Sequence, residues 1–228
     1  MAKTGELFVL TGIDGSGKAT QTRLLVNRIK ASGRNVLTLD FPRYEEAFFG
    51  RMTARYLRGE FGEVDQVNPY LAALMYAGDR WEAKDKLLKA SEAGAVMVCN
   101  RYVADNMAHQ GGKIKNATLR QRFYGWIEEL EHSVYGLPHP DLNILLDVPV
   151  EVAQGLINLK EQRAYLLGEK KDIHEADAMH LKSAGQAFIE LATLYFNWVK
   201  IECAPNNEIL PPEEIAEKVW AEVKGFLG

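Results

Sequence analysis

Three closely spaced glycines and a lysine form the pattern most able to hold an anion. The segment Gly12-Ile13-Asp14-Gly15-Ser16-Gly17-Lys18-Ala19-Thr20 directly follows the apolar run Leu7-Phe8-Val9-Leu10. Gly12, Gly15 and Gly17 reach backbone angles closed to other residues, so consecutive amides can turn toward one anion. The chain reads as helical from Thr20 onward, and a helix there adds its positive dipole end and unpaired N–H groups. Lys18 would reach the β- and γ-phosphates of a nucleotide, as the lysine of a G-x-x-x-x-G-K loop does. The next position, where such loops place a serine or threonine for Mg²⁺, is Ala19. A glycine-rich turn without a ligand is the competing reading, but the flanking strand and helix are the context the motif requires. Gly12, Asp14, Gly15, Ser16, Gly17, Lys18, Ala19 and Thr20 are therefore the expected nucleotide-binding residues.

Other groups that could do chemistry fall at similar junctions. Asp14 would repel phosphates if it faced them. It suits a sugar hydroxyl of a second substrate or a hydrated metal ion, or it bonds its own turn. In Phe41-Pro42-Arg43-Tyr44, Pro42 fixes the backbone, Arg43 offers a planar fork for a phosphate, and Phe41 and Tyr44 offer faces for a base or sugar. A surface arginine beside core aromatics is the alternative. Tyr76 and Arg80 are four apart and share one helix face, where a ring could stack on a base while the guanidinium bonds its oxygens. Arg80 paired with a carboxylate on a solvated helix is the simpler reading. Arg101, directly after a buried strand, is costly unless an anion meets it. Asn106 and Gln110, again four apart, each carry a donor and an acceptor, which suits a pyrimidine edge better than a phosphate. His109 between them reads as a sugar or packing contact. The polar stretch 161–175 is either a solvated face or a lid bringing Arg163, Lys170 or Lys171 onto a transferring phosphoryl group.

The elements that must position these groups alternate along the chain. Five short apolar runs, Leu7 to Thr11, Val36 to Phe41, Val96 to Cys99, Leu142 to Val148 and Trp198 to Cys203, show no clean period of two. Each reads as a strand covered on both faces, as in a parallel sheet. Helical patterns fill the intervals: Thr20 to Ala31 ending at Gly33, a helix in one or two pieces from Pro69 to Gly94, and an apolar stripe from Leu119 to Leu130. Others run over Val150 to Lys160, Ala176 to Val199, and from Pro211 onward. This is a doubly wound α/β sheet in one domain spanning 1–228, in which ligands bind at the carboxyl ends of the strands. The 228 residues are 47% apolar and carry a net charge of −4, which disfavours general binding to nucleic acid or to an acidic membrane. Cys99 and Cys203 read as buried thiols, and no stretch resembles a secretory signal or a membrane span. The expected compartment is the cytoplasm.

The GIDGSGK loop, FPRY, YAGDR, RYVADN and a basic segment ending in KKDIHE occur in order over nearly the whole chain. In that combination the sequence resembles the thymidylate kinases, P-loop enzymes that phosphorylate dTMP with ATP. The resemblance implies a five-stranded parallel sheet of the P-loop NTPase type flanked by helices, a short basic lid at about 161–175, Mg²⁺ with ATP, and a homodimer. It assigns Gly12 to Lys18 to the ATP phosphates and Asp14 to the deoxyribose 3′-hydroxyl. Arg43 and Arg101 would grip the dTMP phosphate, with Phe41, Tyr44, Gln110 and Asp172 among the substrate contacts. Tyr76 would stack near the thymine, Arg80 and Asn106 would bond its edge, and His109 would crowd out a ribose 2′-hydroxyl. Gly15 stands where some members carry a loop arginine, which shifts catalytic weight onto Arg163 and Lys171 beside Lys18, Arg43 and Arg101.

Three differences stand out, and the first two touch the metal. Most relatives have serine or threonine at Ala19, aspartate at Asn100 and serine at Asp105. With both usual metal contacts changed, Asp14 or Glu175 could hold a water of the Mg²⁺ shell. The expected activity is phosphoryl transfer from MgATP to dTMP. A deoxynucleoside kinase or a catalytically weak nucleotide-binding homologue are the alternatives.

Overall fold

The structure is a computed structural model that describes residues 5–158 and 178–227. Five strands, β1 (Leu7–Thr11), β2 (Val36–Asp40), β3 (Val96–Asn100), β4 (Leu142–Asp147) and β5 (Trp198–Glu202), form one sheet in the order β2-β3-β1-β4-β5. Every pairing is parallel. The helices are α1 (Lys18–Ala31), α2 (Phe48–Leu57), α3 (Pro69–Glu82), α4 (Lys84–Glu92), α5 (Val103–Gly111), α6 (Ala117–Glu128), α7 (Val150–Asn158), α8 (Ala178–Leu194) and α9 (Pro212–Val223). A π-helical turn, Glu129–Val134, extends α6.

The apolar runs became strands in the positions expected, within a residue or two. β1 and β3 are buried along their whole length, as strands inside a parallel sheet must be. The expectation that all five are covered on both faces fails for β2 and β5. These are the sheet edges, and each has only one fully buried residue. The helix read as Ala176 to Val199 ends at Leu194, because the β-branched run from Trp198 pairs with β4 instead.

Local chemistry sets several helix starts. Asn68 accepts a hydrogen bond from Tyr70 N at 2.9 Å and Pro69 occupies the first turn of α3. Asn116 accepts from Leu119 N at 3.0 Å at the start of α6. Two helices, α2 and α5, were not expected. All nine residues of α5 are buried: its polar side, Asp105, Asn106, His109 and Gln110, lines a narrow cavity rather than the outer surface. α2 begins at Ala47, whose side chain caps nothing.

The sheet order puts the turn after β1 beside the end of β3, with the end of β2 next along. The carboxyl ends of these three strands carry the loop at 12–18, Asn100 with Arg101, and Asp40 with Phe41.

Candidate active site

The loop after β1 is built for an anion. Gly15 has φ 87° and Gly17 has φ 88°, both in the left-handed region open to glycine. A Cβ on Gly15 would lie 2.3 Å from the Ala153 carbonyl oxygen, so the close approach of the loop to α7 also requires glycine there. Gly17 caps α1 without a side chain, which leaves the first amides of the helix open to a ligand. The Lys18 ammonium folds back onto the loop, donating to Gly12 O and Ile13 O, each at 2.8 Å. Ser16 Oγ is buried and unpartnered.

A cavity of about 370 Å³ adjoins this loop, lined by Asp14, Gly15, Gly17, Lys18, Ala19, Asp40, Phe41, Tyr44, Asn100 and Arg101. Asp14, Phe41, Tyr44 and Arg101 also belong to a second, narrow cavity of about 30 Å³, completed by Pro42, Leu57, Tyr76, Arg80, Asp105, Asn106, His109 and Gln110. The structure thus brings together most of the residues singled out in the sequence. Arg101 stands at the junction of the two cavities.

Arg101 is held under constraint. Its φ is 66°, in a region that disfavours side chains, and its amide donates to Leu10 O at 2.9 Å across the strand ends. Its guanidinium pairs with Asp14 and lies 3.4 Å from Asp105 Oδ1 and 3.5 Å from His109 Nε2. Burial works against its charge, and the carboxylates of Asp14 and Asp105 override that, keeping it firmly protonated. Asp105 also accepts from Thr11 Oγ1 at 2.8 Å and Tyr102 N at 3.1 Å. Burial raises its pKa, against the pull of Arg101 and Lys18.

The narrow cavity borders a buried ion pair. Arg80 donates through Nε and Nη2 to Glu131 at 2.5 and 2.6 Å, and both side chains are at most 3% exposed. The reading of Arg80 as paired with a nearby carboxylate on a solvated helix does not hold: its partner is 51 residues away on another element, and the pair is buried. Asn106 Nδ2 donates to the same carboxylate at 2.9 Å and to Ala73 O at 3.1 Å. Asn106 Oδ1 and both polar atoms of Gln110 are buried with no hydrogen-bond partner. Each such atom costs about 1–3 kcal/mol, which a ligand edge with complementary donors and acceptors would recover. His109 Nδ1 lies 3.3 Å from His180 Nε2 of α8. Burial lowers the His109 pKa well below its usual value, Asp14 opposing and His180 adding to the effect.

Arg43 sits apart from this group. Its amide and Nε bond the Asp79 carboxylate at 2.8 and 3.0 Å, and its Nη2 bonds Asp79 O at 2.5 Å. It lines a neighbouring cavity that also touches Asp40 and Tyr44. Burial raises the Asp79 pKa and Arg43 opposes it. Thr20 lines neither of the two site cavities. Arg163, Lys170, Lys171, Asp172 and Glu175 lie outside the described residues. Sequence reasoning missed Asp40, Asp79, Glu131 and His180, which orient the residues it found. Only Asp79 had a local signal, as the neighbour of Arg80.

Fold and glycine loop together define a P-loop protein with two adjoining cavities at the carboxyl ends of its strands. The thymidylate kinase family model matches residues 10–211. A thymidylate kinase of Mycobacterium tuberculosis strain H37Rv is 33% identical over 187 residues, covering 82% of this chain and 85% of that protein. A thymidylate kinase of Thermomicrobium roseum is 30% identical over 213 residues, covering 93% and 91%. The solved structure of a thymidylate kinase from Candida albicans superposes with a TM-score of 0.73 at 18% identity, over 97% of this chain and 92% of that one. The chain belongs to the thymidylate kinase family.

Proposed function

We propose that this chain transfers the γ-phosphoryl group of ATP to dTMP, giving dTDP and ADP, with each substrate in one of the two joined cavities. An oxygen of the dTMP phosphate attacks the γ-phosphorus, the bond from that phosphorus to the β-bridging oxygen breaks, and ADP leaves with the electron pair. The acceptor is already an anion, so no strong base is required; positioning and charge neutralisation carry the step.

The observation that supports this assignment most is the set of buried, unpartnered atoms of Asn106 and Gln110 beside Arg80, one cavity away from the phosphate loop. A pyrimidine edge satisfies them. The loop amides and Lys18 take the ATP phosphates, and Lys18 exchanges its loop carbonyls for phosphate oxygens. Arg101 releases Asp14 to grip the dTMP phosphate, which leaves Asp14 to accept from the sugar 3′-hydroxyl. Tyr76 and Phe41 flank the base, with Tyr44 and His109 at the sugar. The 30 Å³ cavity holds about two waters, so its walls part when the nucleotide enters. Arg43 reaches the phosphate after exchanging contacts with Asp79.

The site fits Mg²⁺. Asn100 Oδ1 is buried and unpartnered at the edge of the phosphate cavity, and Asp14 lines the same cavity. When bound, Mg²⁺ supplies charge neutralisation between the phosphates. Arg163 and Lys171 of a lid at 161–175 add cations to the transferring group, with Asp172 at the substrate and Glu175 at the metal's water shell. The whole chain, 1–228, acts as one kinase domain.

No helix among the described residues is long and apolar enough to cross a membrane. Cys99 and Cys203 are free and buried, in keeping with the cytoplasm. Leu71, Leu74 and Trp81 of α3 expose an apolar stripe at helical spacing, which supports a homodimer.

A coupled assay with ATP, Mg²⁺ and each nucleoside monophosphate in turn tests the assignment. We expect dTMP to be the best acceptor, dUMP next, and AMP, GMP and CMP poor. Faster turnover of a purine monophosphate would overturn the base pocket, and turnover of thymidine in place of dTMP would indicate a nucleoside kinase.

A further inference from the structure

β2 and β3 run in register, with Asp40 paired to Asn100 at their shared carboxyl end. There the two side chains meet, the Asn100 amide Nδ2 donating to Asp40 Oδ1 at 2.8 Å. Both line the phosphate cavity beside Gly15, Gly17, Lys18 and Ala19. Asn100 is 7% exposed, and with its donor side given to Asp40, its Oδ1 is left buried without a partner. A buried amide oxygen in a polar cavity calls for a donor from whatever fills that cavity.

We propose that Asp40 is a carboxylate of the metal site in this chain, holding a water of the Mg²⁺ shell while Asn100 Oδ1 accepts from another. The inference rests on MgATP binding at the glycine loop. It accounts for three features together. Ala19 has no hydroxyl to offer, so the ion keeps one more water, which Mg²⁺ accepts readily. That water needs an acceptor, and Asp40 and Asn100 both line the cavity. An asparagine at 100 is then the residue the neighbour demands: aspartate there would set two carboxylates at hydrogen-bond distance, and one would be driven to hold a proton. Positions 40 and 100 behave as one site carrying one negative charge, placed on β2. Asp40 acts through water and is a positioning residue.

The test separates nucleotide binding from metal binding by titration calorimetry of ADP into the full chain, once in EDTA and once in saturating Mg²⁺. The ratio of the two Kd values measures what the metal adds. Asp40→Asn is expected to reduce that ratio about tenfold, the usual scale for losing an outer-shell partner, with the Kd in EDTA unchanged. The swap Asp40→Asn/Asn100→Asp moves the charge across the pair to β3 and should restore most of the ratio. Asp40 is exposed on an edge strand and the substitution is isosteric, so a thermal melt should match the wild type. An unchanged ratio in Asp40→Asn overturns the inference, as does a swap no better than the single variant. Wild-type protein that binds no ADP in either buffer overturns the nucleotide assignment of the loop itself, a result distinct from the first two.

Discussion

Arg101 shows how a single residue links fold to chemistry. A left-handed backbone at a non-glycine position is retained where the surroundings fix it, here by the bond to Leu10 O and three side-chain neighbours. What the conformation provides is a guanidinium at the one place both cavities share. Lysine carries the charge but not the fork, so Arg101→Lys should lower kcat/KM for dTMP about ten- to a hundredfold, matching one lost charged contact of about 1.5–3 kcal/mol. ATP binding should change far less; an equal loss for both substrates would place Arg101 outside the acceptor clamp. His109, 6% exposed, gives a stability prediction. Burial holds its folded pKa well below 6.5, so the folded form stays neutral where the unfolded chain takes up a proton. Its contribution is complete above about pH 6.5 and is lost as pH falls from there toward the folded pKa. From about pH 7.5 to 5.5 this amounts to about 1 kcal/mol. Urea unfolding at the two pH values should show it, and His109→Gln should flatten the difference; an unaltered slope in the variant would assign the effect elsewhere.

Among the elements, the π-helical turn after α6 has the largest consequence for the site. It delivers Glu131, fully buried, to Arg80 of α3 and Asn106 of α5, so three elements meet on one carboxylate. Glu131→Gln leaves the Arg80 charge buried without its counter-ion and should destabilise the fold by about 3–5 kcal/mol in chemical denaturation. Removing both charges in Arg80→Met/Glu131→Leu should recover most of that stability while dTMP use stays impaired. If the double variant is as unstable as the single one, packing rather than charge explains the loss. The same elements mark what the sequence can reveal. The five strands were legible because each apolar run is short and bounded by turn residues, and α3 was legible from Asn68-Pro69. α5 was not, since its polar side faces the site cavity and the short segment was read for its chemistry rather than as a helix. Spacing gathered Tyr76 with Arg80 and Asn106 with Gln110, because four residues is one turn. It could not show that Arg80 turns to a carboxylate 51 residues away, that Arg43 is held by Asp79, or that Asn100 meets Asp40 across two strands. Pairs made by sheet order and helix packing leave no trace in local sequence.

At the scale of the whole molecule, α3 has two sides with different roles. One carries Asp79 and Arg80 into the interior, at 1% and 2% exposure. The other leaves Leu71, Leu74 and Trp81 at 63%, 36% and 51%. Residues at these spacings lie along a single stripe, and an apolar stripe on a helix that also lines the narrow cavity is well placed for a second copy to cover. An isologous pair would bury the stripe against its own equivalent across a two-fold axis. Wild-type protein should therefore sediment at twice the 25.6 kDa chain mass. Leu74→Glu/Trp81→Glu puts two carboxylates from each chain into that contact and should yield monomers, since buried unpaired charges oppose association far more than the same charges, exposed, oppose folding. Both substituted positions are at least a third exposed, so the monomer should keep its fold by circular dichroism. Because Arg80 sits on the opposite side of the same helix, the monomer should also show a raised KM for dTMP with ATP binding nearly unchanged. A wild-type chain that sediments as a monomer would remove the dimer from this account, and a dimer that survives both glutamates would move its contact to another face.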